Sequence, residues 1–101
     1  MFEYEKTSNT LFVRLKEDLD HSASIAIRPK LDQLLADRQI RHLVRDLKDL
    51  KFMDSSGIGL IIGRYKLMAK RGGSVKVKNA DKRVDRIFQM AGLYQLVEKM
   101  A

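Results

Sequence analysis

Residues 52–59 read FMDSSGIG: an apolar pair, an aspartate, two serines, then two glycines flanking Ile58. Upstream, RHLVRDLKDLKFM (41–53) reads as a β-strand, the third in the chain. Downstream, from Ser56 to about Lys70, apolar residues recur at helical spacing. The octet is therefore a strand-to-helix turn, and a strand feeding a helix in mid-chain points to the α/β class. Asp54 or Ser55 suits a helix N-cap, whose side-chain oxygen accepts from a first-turn N–H and contributes about 1 kcal/mol. A cap accounts for one of the three polar residues. The remaining hydroxyl needs another account.

Working outward, FEYEK (2–6) and TLFVRL (10–15) read as strands joined by the polar link TSN, a plausible hairpin. KEDLDHSAS (16–24) is polar, with Asp20 and Ser22 as candidate caps of a first helix carrying Ile25, Leu31, Leu34 and Leu35 at helical spacing. Pro29 lies inside that run and predicts a kink or a late start. Arg45 and Asp46 interrupt the third strand, so part of it must face solvent or find partners. Gly72 and Gly73 end the second helix, SVKVK (74–78) is a fourth strand, and DKRVDRIFQMAG (81–92) is a third helix capped by Asp81 and ended by Gly92. LYQLVEKM (93–100) supplies a last short strand. The order β-β-α-β-α-β-α-β predicts one domain over residues 1–101. It is an α/β domain with a four- or five-stranded mixed sheet and helices mainly on one side.

The 101 residues are 45% hydrophobic and 33% charged, a globular composition. GIGLIIG (57–63) is far short of the roughly 20 apolar residues of a membrane span. The N-terminus lacks a basic-then-apolar signal pattern, and there is no cysteine, so an intracellular, cytoplasmic setting is expected without thiolate metal sites. The net charge of +7 permits attraction to nucleic acid. Its basic residues are scattered, however, and no arginine–aromatic interleaving of the base-stacking kind is present. Solvated charge is the simpler reading, and nucleic-acid binding is the competing one.

Two chemistries remain for the octet beyond a cap. A serine nucleophile needs a base within reach and, at an elbow, Gly-x-Ser-x-Gly; here Met53 precedes Ser55 by two and Asp54 precedes Ser56 by two. His21 and His42 are the only histidines, so no catalytic residue, metal site or cofactor is expected. A phosphoacceptor serine instead uses the partial positive charge of a helix N-terminus, with Gly57 letting a partner backbone come close. Phosphorylation adds about −1.5 to −2 charges at pH 7. Against a partner carboxylate about 4 Å away, each unit pair costs roughly 1 kcal/mol in water and roughly 4 in a protein-like medium. Since about 1.4 kcal/mol is tenfold in affinity, one phosphate can dissolve a micromolar interface.

At about 100° per residue, Ile58, Ile61, Ile62, Tyr65, Met68 and Ala69 share one face of the second helix, the expected core face. Ser56, Gly59, Leu60, Gly63 and Leu67 gather opposite, where glycines admit a partner backbone and leucines supply anchors. The expected docking surface begins at the serines and runs down that face.

DLKDLKFMDSSGIGLIIGRYK (46–66) closely resembles the signature of the anti-anti-sigma factors, the bacterial STAS domains, and of their sporulation branch in particular. Further resemblance lies in DLDHSA (18–23), RHLV (41–44) and RIFQMAGLYQLV (86–97), so it covers about residues 10–98. It implies a STAS-like mixed sheet with helices on one side, and partner switching in transcription regulation. In that family the unphosphorylated protein binds an anti-sigma factor that is itself a serine kinase, freeing the sigma factor. The kinase uses ATP to phosphorylate the first motif serine, here Ser55, and a serine phosphatase reverses it. Asp54, Ser56 and Gly57 match the surrounding motif, and Asp20 and His21 match a loop that also faces the kinase. The resemblance thus implies a binding module and substrate rather than an enzyme, with no direct nucleic-acid or membrane partner. A general-stress antagonist or a scaffold subunit of the same fold is the alternative. Three departures stand out: Lys16 and EDLD (17–20) where members commonly carry Gly-Glu-Leu-Asp, Arg45 for an apolar strand residue, and an end at Ala101 where members usually add a closing helix.

Overall fold

The structure, a computed structural model, describes residues 2–100. Strands β1 (Phe2–Lys6) and β2 (Thr10–Leu15) form the expected hairpin, closed where Thr7 N donates to Thr10 O at 2.9 Å. They pair antiparallel from Phe2↔Leu15 to Lys6↔Leu11. β3 (His42–Asp46), β4 (Ser74–Lys78) and β5 (Glu98–Lys99) follow in parallel, giving the sheet order β1-β2-β3-β4-β5. Alternation puts Leu11, Val13 and Leu15 of β2, Leu43 of β3 and Val75 and Val77 of β4 on one face. That face packs in a single cluster with Ile27, Leu31 and Leu35 of α1 (His21–Leu35), Ile61 and Met68 of α2 (Ser55–Lys70), and Val84 and Phe88 of α3 (Lys82–Met90). A 3-10 turn, Leu93–Gln95, leads into β5.

Asp20, Asp54 and Asp81 cap the three helices, each accepting from backbone N–H groups of the first turn. α2 ends as expected: Gly72 takes a left-handed φ of 70°, Gly72 N donates to Ala69 O, and Gly73 N donates to Met68 O. This pairing is the Schellman arrangement, which favours glycine at that position. Arg71 then donates to the carbonyls of Leu35, Asp37 and Ile40, tying the end of α1 to the end of α2.

Several sequence expectations change. The third strand stops at Asp46 rather than reaching Met53, because Asp46 Oδ1 turns to accept from Lys48 N at 3.0 Å and Leu50 N closes on Leu47 O. α1 does not start late; it begins at His21 and runs through Pro29 to Leu35. The hydrogen bond lost is the one to the carbonyl of Ile25, a residue on the exposed side of the helix. Ile25 therefore lies outside, and Ile27 takes its place in the core.

Candidate functional site

β2 and β3 are parallel neighbours, so the loops leaving their C-terminal ends emerge side by side. The two loops are laced together: Leu19 N donates to Phe52 O (3.1 Å), Asp54 N donates to Leu19 O (3.2 Å), and Leu19 and Met53 form a parallel bridge. Asp18 Oδ1 accepts from Lys51 N at 2.9 Å and Phe52 N at 3.1 Å. The turn carrying Lys16 and EDLD is thus held by its own aspartate. The lacing sets the N-termini of α1 and α2 next to each other.

Within this frame Asp20 Oδ1 accepts from Ala23 N at 2.8 Å. Asp54 Oδ1 accepts from Ser56 N at 2.9 Å and Gly57 N at 3.2 Å. The aspartate, not a serine, is therefore the cap of α2. Ser55 becomes the first helical residue, with its side chain exposed and its hydroxyl in no hydrogen bond among the described residues. Ser56 turns the other way: its Oγ lies 2.9 Å from His21 Nδ1, a hydrogen bond across the two helix starts. His42 pairs instead with Ser74 Oγ, also at 2.9 Å. His21 and Ser56 have the spacing of a base and a hydroxyl, but no carboxylate orients the His21 ring among the described residues.

Because Asp54 already takes the N–H groups of Ser56 and Gly57, a phosphate on Ser55 would find the helix dipole but not those donors. Its charge would be displayed outward.

Two of the expected docking residues move. Leu60, expected on the outer face, is 6% exposed and belongs to the core cluster. Gly57 is buried, and a Cβ there would stand 2.6 Å from Leu19 O and 2.8 Å from Leu19 Cβ. The glycine thus admits the laced loop of this chain rather than a partner backbone. Conversely Ala69, expected in the core, is exposed, while Ile58, Ile62 and Tyr65 are half-buried. The core face of α2 is Gly57, Leu60, Ile61, Arg64 and Met68, about a quarter turn from the one that apolarity alone selects. A glycine and an arginine count against a face in such a reading, yet here both are buried.

Gly59 and Gly63 keep their expected place: a Cβ at either would meet nothing within 4 Å. Gly59 is exposed, and Gly63 and Leu67 are half-buried. The outer edge of α2 therefore runs from Ser55 past Gly59 and Gly63 to Leu67, with Asp20 and His21 exposed across the cleft. Between α1 and α2 lies a groove of about 360 Å³ whose lining includes His21, Ser24, Ser56, Gly59, Gly63 and Arg64. The roles of His21 toward Ser56 and of Arg64 toward the groove are new relative to the sequence reading. Only the parallel pairing of β2 and β3 brings these residues together.

Carboxyls held below their ordinary range lie elsewhere, among them Asp37 by Lys6, Asp49 by Arg14 and Asp85 by Lys99. No helix of the described residues is long and apolar enough to cross a membrane, and no three-residue cluster of metal-ligating type occurs among them.

A five-stranded mixed sheet with its helices on one face, and an Asp-Ser-Ser-Gly turn opening the second helix, define a class. The STAS domain family matches residues 1–101, and the chain belongs to it. It is 42% identical over 95 residues to the anti-sigma F factor antagonist of Paenibacillus polymyxa, covering 94% of this chain and 81% of that protein. It is 31% identical over 96 residues to the anti-sigma-B factor antagonist of Bacillus subtilis (strain 168), covering 95% and 86%. Among solved structures, the anti-sigma factor antagonist SpoIIAA in its unphosphorylated form superposes with a TM-score of 0.86 at 30% identity, over 100% of this chain and 89% of that one. The Bacillus cell fate determinant SpoIIAA in its phosphorylated form gives 0.77 at 29%, over 100% and 92%.

Proposed function

We propose that this chain is an anti-sigma factor antagonist that works by partner switching in the cytoplasm. Unphosphorylated, it docks on an anti-sigma factor that is a serine kinase, and so releases the sigma factor. The kinase transfers a phosphoryl group from ATP to Ser55, the added charge ends the docking, and a serine phosphatase restores the free form. The chain acts as binder and substrate, not as an enzyme. The observation that carries this is Ser55 itself: an exposed hydroxyl in no hydrogen bond among the described residues, directly after an aspartate cap, at the head of an open glycine-lined edge. Similarity to an anti-sigma F factor antagonist and to SpoIIAA supports the sporulation reading. Similarity to an anti-sigma-B factor antagonist supports a general-stress role as the second reading. Partner identity separates the two.

The test is intact mass after incubation with ATP and the anti-sigma F or anti-sigma-B kinase of the same organism, with Ser55→Ala alongside. Gain of one phosphoryl group by the wild type alone is the expected result, and the kinase that supports it names the branch. Gain by both proteins moves the site off Ser55. No gain with either kinase, together with salt-sensitive retention on RNA, would favour the nucleic-acid reading that the +7 charge allows.

A further inference from the structure

The middle of β3 carries an arginine on the helix-facing side of the sheet. Arg45 is 1% exposed, and none of its three guanidinium nitrogens has a hydrogen-bond partner among the described residues. Burial, helped by the charge of Arg64, lowers its pKa to about 9, which still leaves it a cation at neutral pH. Arg64, on the buried face of α2, is 8% exposed. Its Nη1 lies 3.0 Å from Asp32 Oδ1, yet the alignment falls short of a hydrogen bond, and Nε is also unpaired. Ser24 of α1 is 7% exposed, and its Oγ has no hydrogen-bond partner among the described residues. Asp32 is shared further, with Arg28 Nε at 3.8 Å. Arg28 and Arg64 thus share one carboxylate, Asp32, while Arg45 has no ion-pair partner among the described residues.

Buried water can satisfy unpaired N–H groups but cannot balance their charge, and an uncompensated interior cation is costly. The groove between α1 and α2 offers the place for a counter-charge. Arg64 and Ser24 line it from within, Arg28 and His21 lie along its walls, and no carboxylate is among its lining residues. Gly59 and Gly63 leave its mouth open, since a Cβ at either would meet nothing within 4 Å beyond its own stretch of helix.

We propose that this groove binds a small oxyanion of the phosphate or carboxylate class, held by the Arg64 fork and the Ser24 hydroxyl, with Arg28 completing its coordination. A guanidinium edge matches two oxygens of such an anion at once, and a neighbouring hydroxyl takes a third contact. The site does not depend on partner switching; it needs only this chain and a salt.

The experiment is an NMR titration of the whole chain, read at the amides of Ser24, Gly59 and Gly63 and at arginine Nε–H groups. The probes are sodium phosphate and sodium acetate, each against sodium chloride at matched ionic strength. Saturable shifts at these positions with phosphate, acetate or both, but not with chloride, are expected, and the stronger binder identifies the tetrahedral or planar member of the class. Arg64→Gln should weaken binding about tenfold, as loss of a charge-assisted hydrogen bond implies. Arg28 is exposed, so Arg28→Gln keeps the fold and gives a second reading should Arg64→Gln not fold; it too should weaken binding. Lys82→Gln, at the start of α3, should not change it. Absence of saturation, equal shifts with chloride, or affinity unchanged in the arginine variants would overturn the site.

Discussion

Replacing Arg45 by methionine should make the protein more stable. The arginine's pKa falls from its ordinary value to about 9 on folding, chiefly through burial. At about 1.36 kcal/mol per pH unit, holding the charged form inside costs on the order of 5 kcal/mol. Methionine removes that cost and fills much of the same volume with an unbranched apolar chain, at a repacking cost of roughly 1–3 kcal/mol. The net gain at pH 7 is then about 2–4 kcal/mol, in line with other buried charges replaced by apolar residues. For a domain of this size, each kcal/mol raises Tm by roughly 4–8 °C. Urea unfolding in a chloride buffer free of oxyanions measures it, with the midpoint rising at an unchanged slope. The pH dependence provides a second check. Above about pH 9 the folded arginine releases its proton while the unfolded one retains it to much higher pH. The unfolded state then binds more protons, so wild-type stability gains with pH relative to the variant, and the gap between them narrows. A variant less stable than the wild type by more than about 2 kcal/mol would refute the reasoning, because only a well-paired arginine would be missed that much.

Gly57→Ala should destabilise by about 1–3 kcal/mol, since its Cβ would stand 2.6 Å from the backbone oxygen of Leu19; unchanged urea unfolding would mean the two loops are not laced so closely. Gly63→Ala meets nothing within 4 Å and should stabilise α2 by roughly 0.5–1 kcal/mol while weakening capture of the anti-sigma kinase; full binding at raised stability would move the docking edge elsewhere. Asp37, Asp49 and Asp85 are held below the ordinary carboxylate range by Lys6, Arg14 and Lys99. Their contribution is present above about pH 4 and is lost as pH falls through their folded values, so the melting temperature should decline below that point; a flat acid limb would show that these exposed pairs contribute nothing.

Much of the fold was legible because each signal had a local cause. Asp20, Asp54 and Asp81 cap where a short acceptor precedes a helical run, and Gly72 and Gly92 take the left-handed conformation that ends one. Errors arose where a long-range or side-chain choice overrode the local pattern. Nothing in LVRDLKDL announces that Asp46 will fold back onto Lys48 N and cut the strand short. Nor does Pro29 reveal whether the carbonyl it leaves unpaired faces core or water, which decides whether a helix survives it.

The candidate site divides along the same line. Ser55, Gly59, Gly63 and the caps followed from residue type and spacing. The buried face of α2 did not, because its inward positions are occupied by what a hydrophobic count scores as outward. Gly57 is inside because the loop bearing Leu19 presses against the helix start, and that loop lies 38 residues earlier in the chain (57 − 19). Arg64 is inside because α1 covers it and brings Asp32 within ion-pair distance. Both follow from one topological fact, the parallel pairing of β2 with β3, which aligns the two loops and the two helices they begin. Once that pairing is granted, His21 meets Ser56 and Arg64 meets Asp32 along the seam between α1 and α2, and rotating α2 by about a quarter turn brings glycine and arginine inward together.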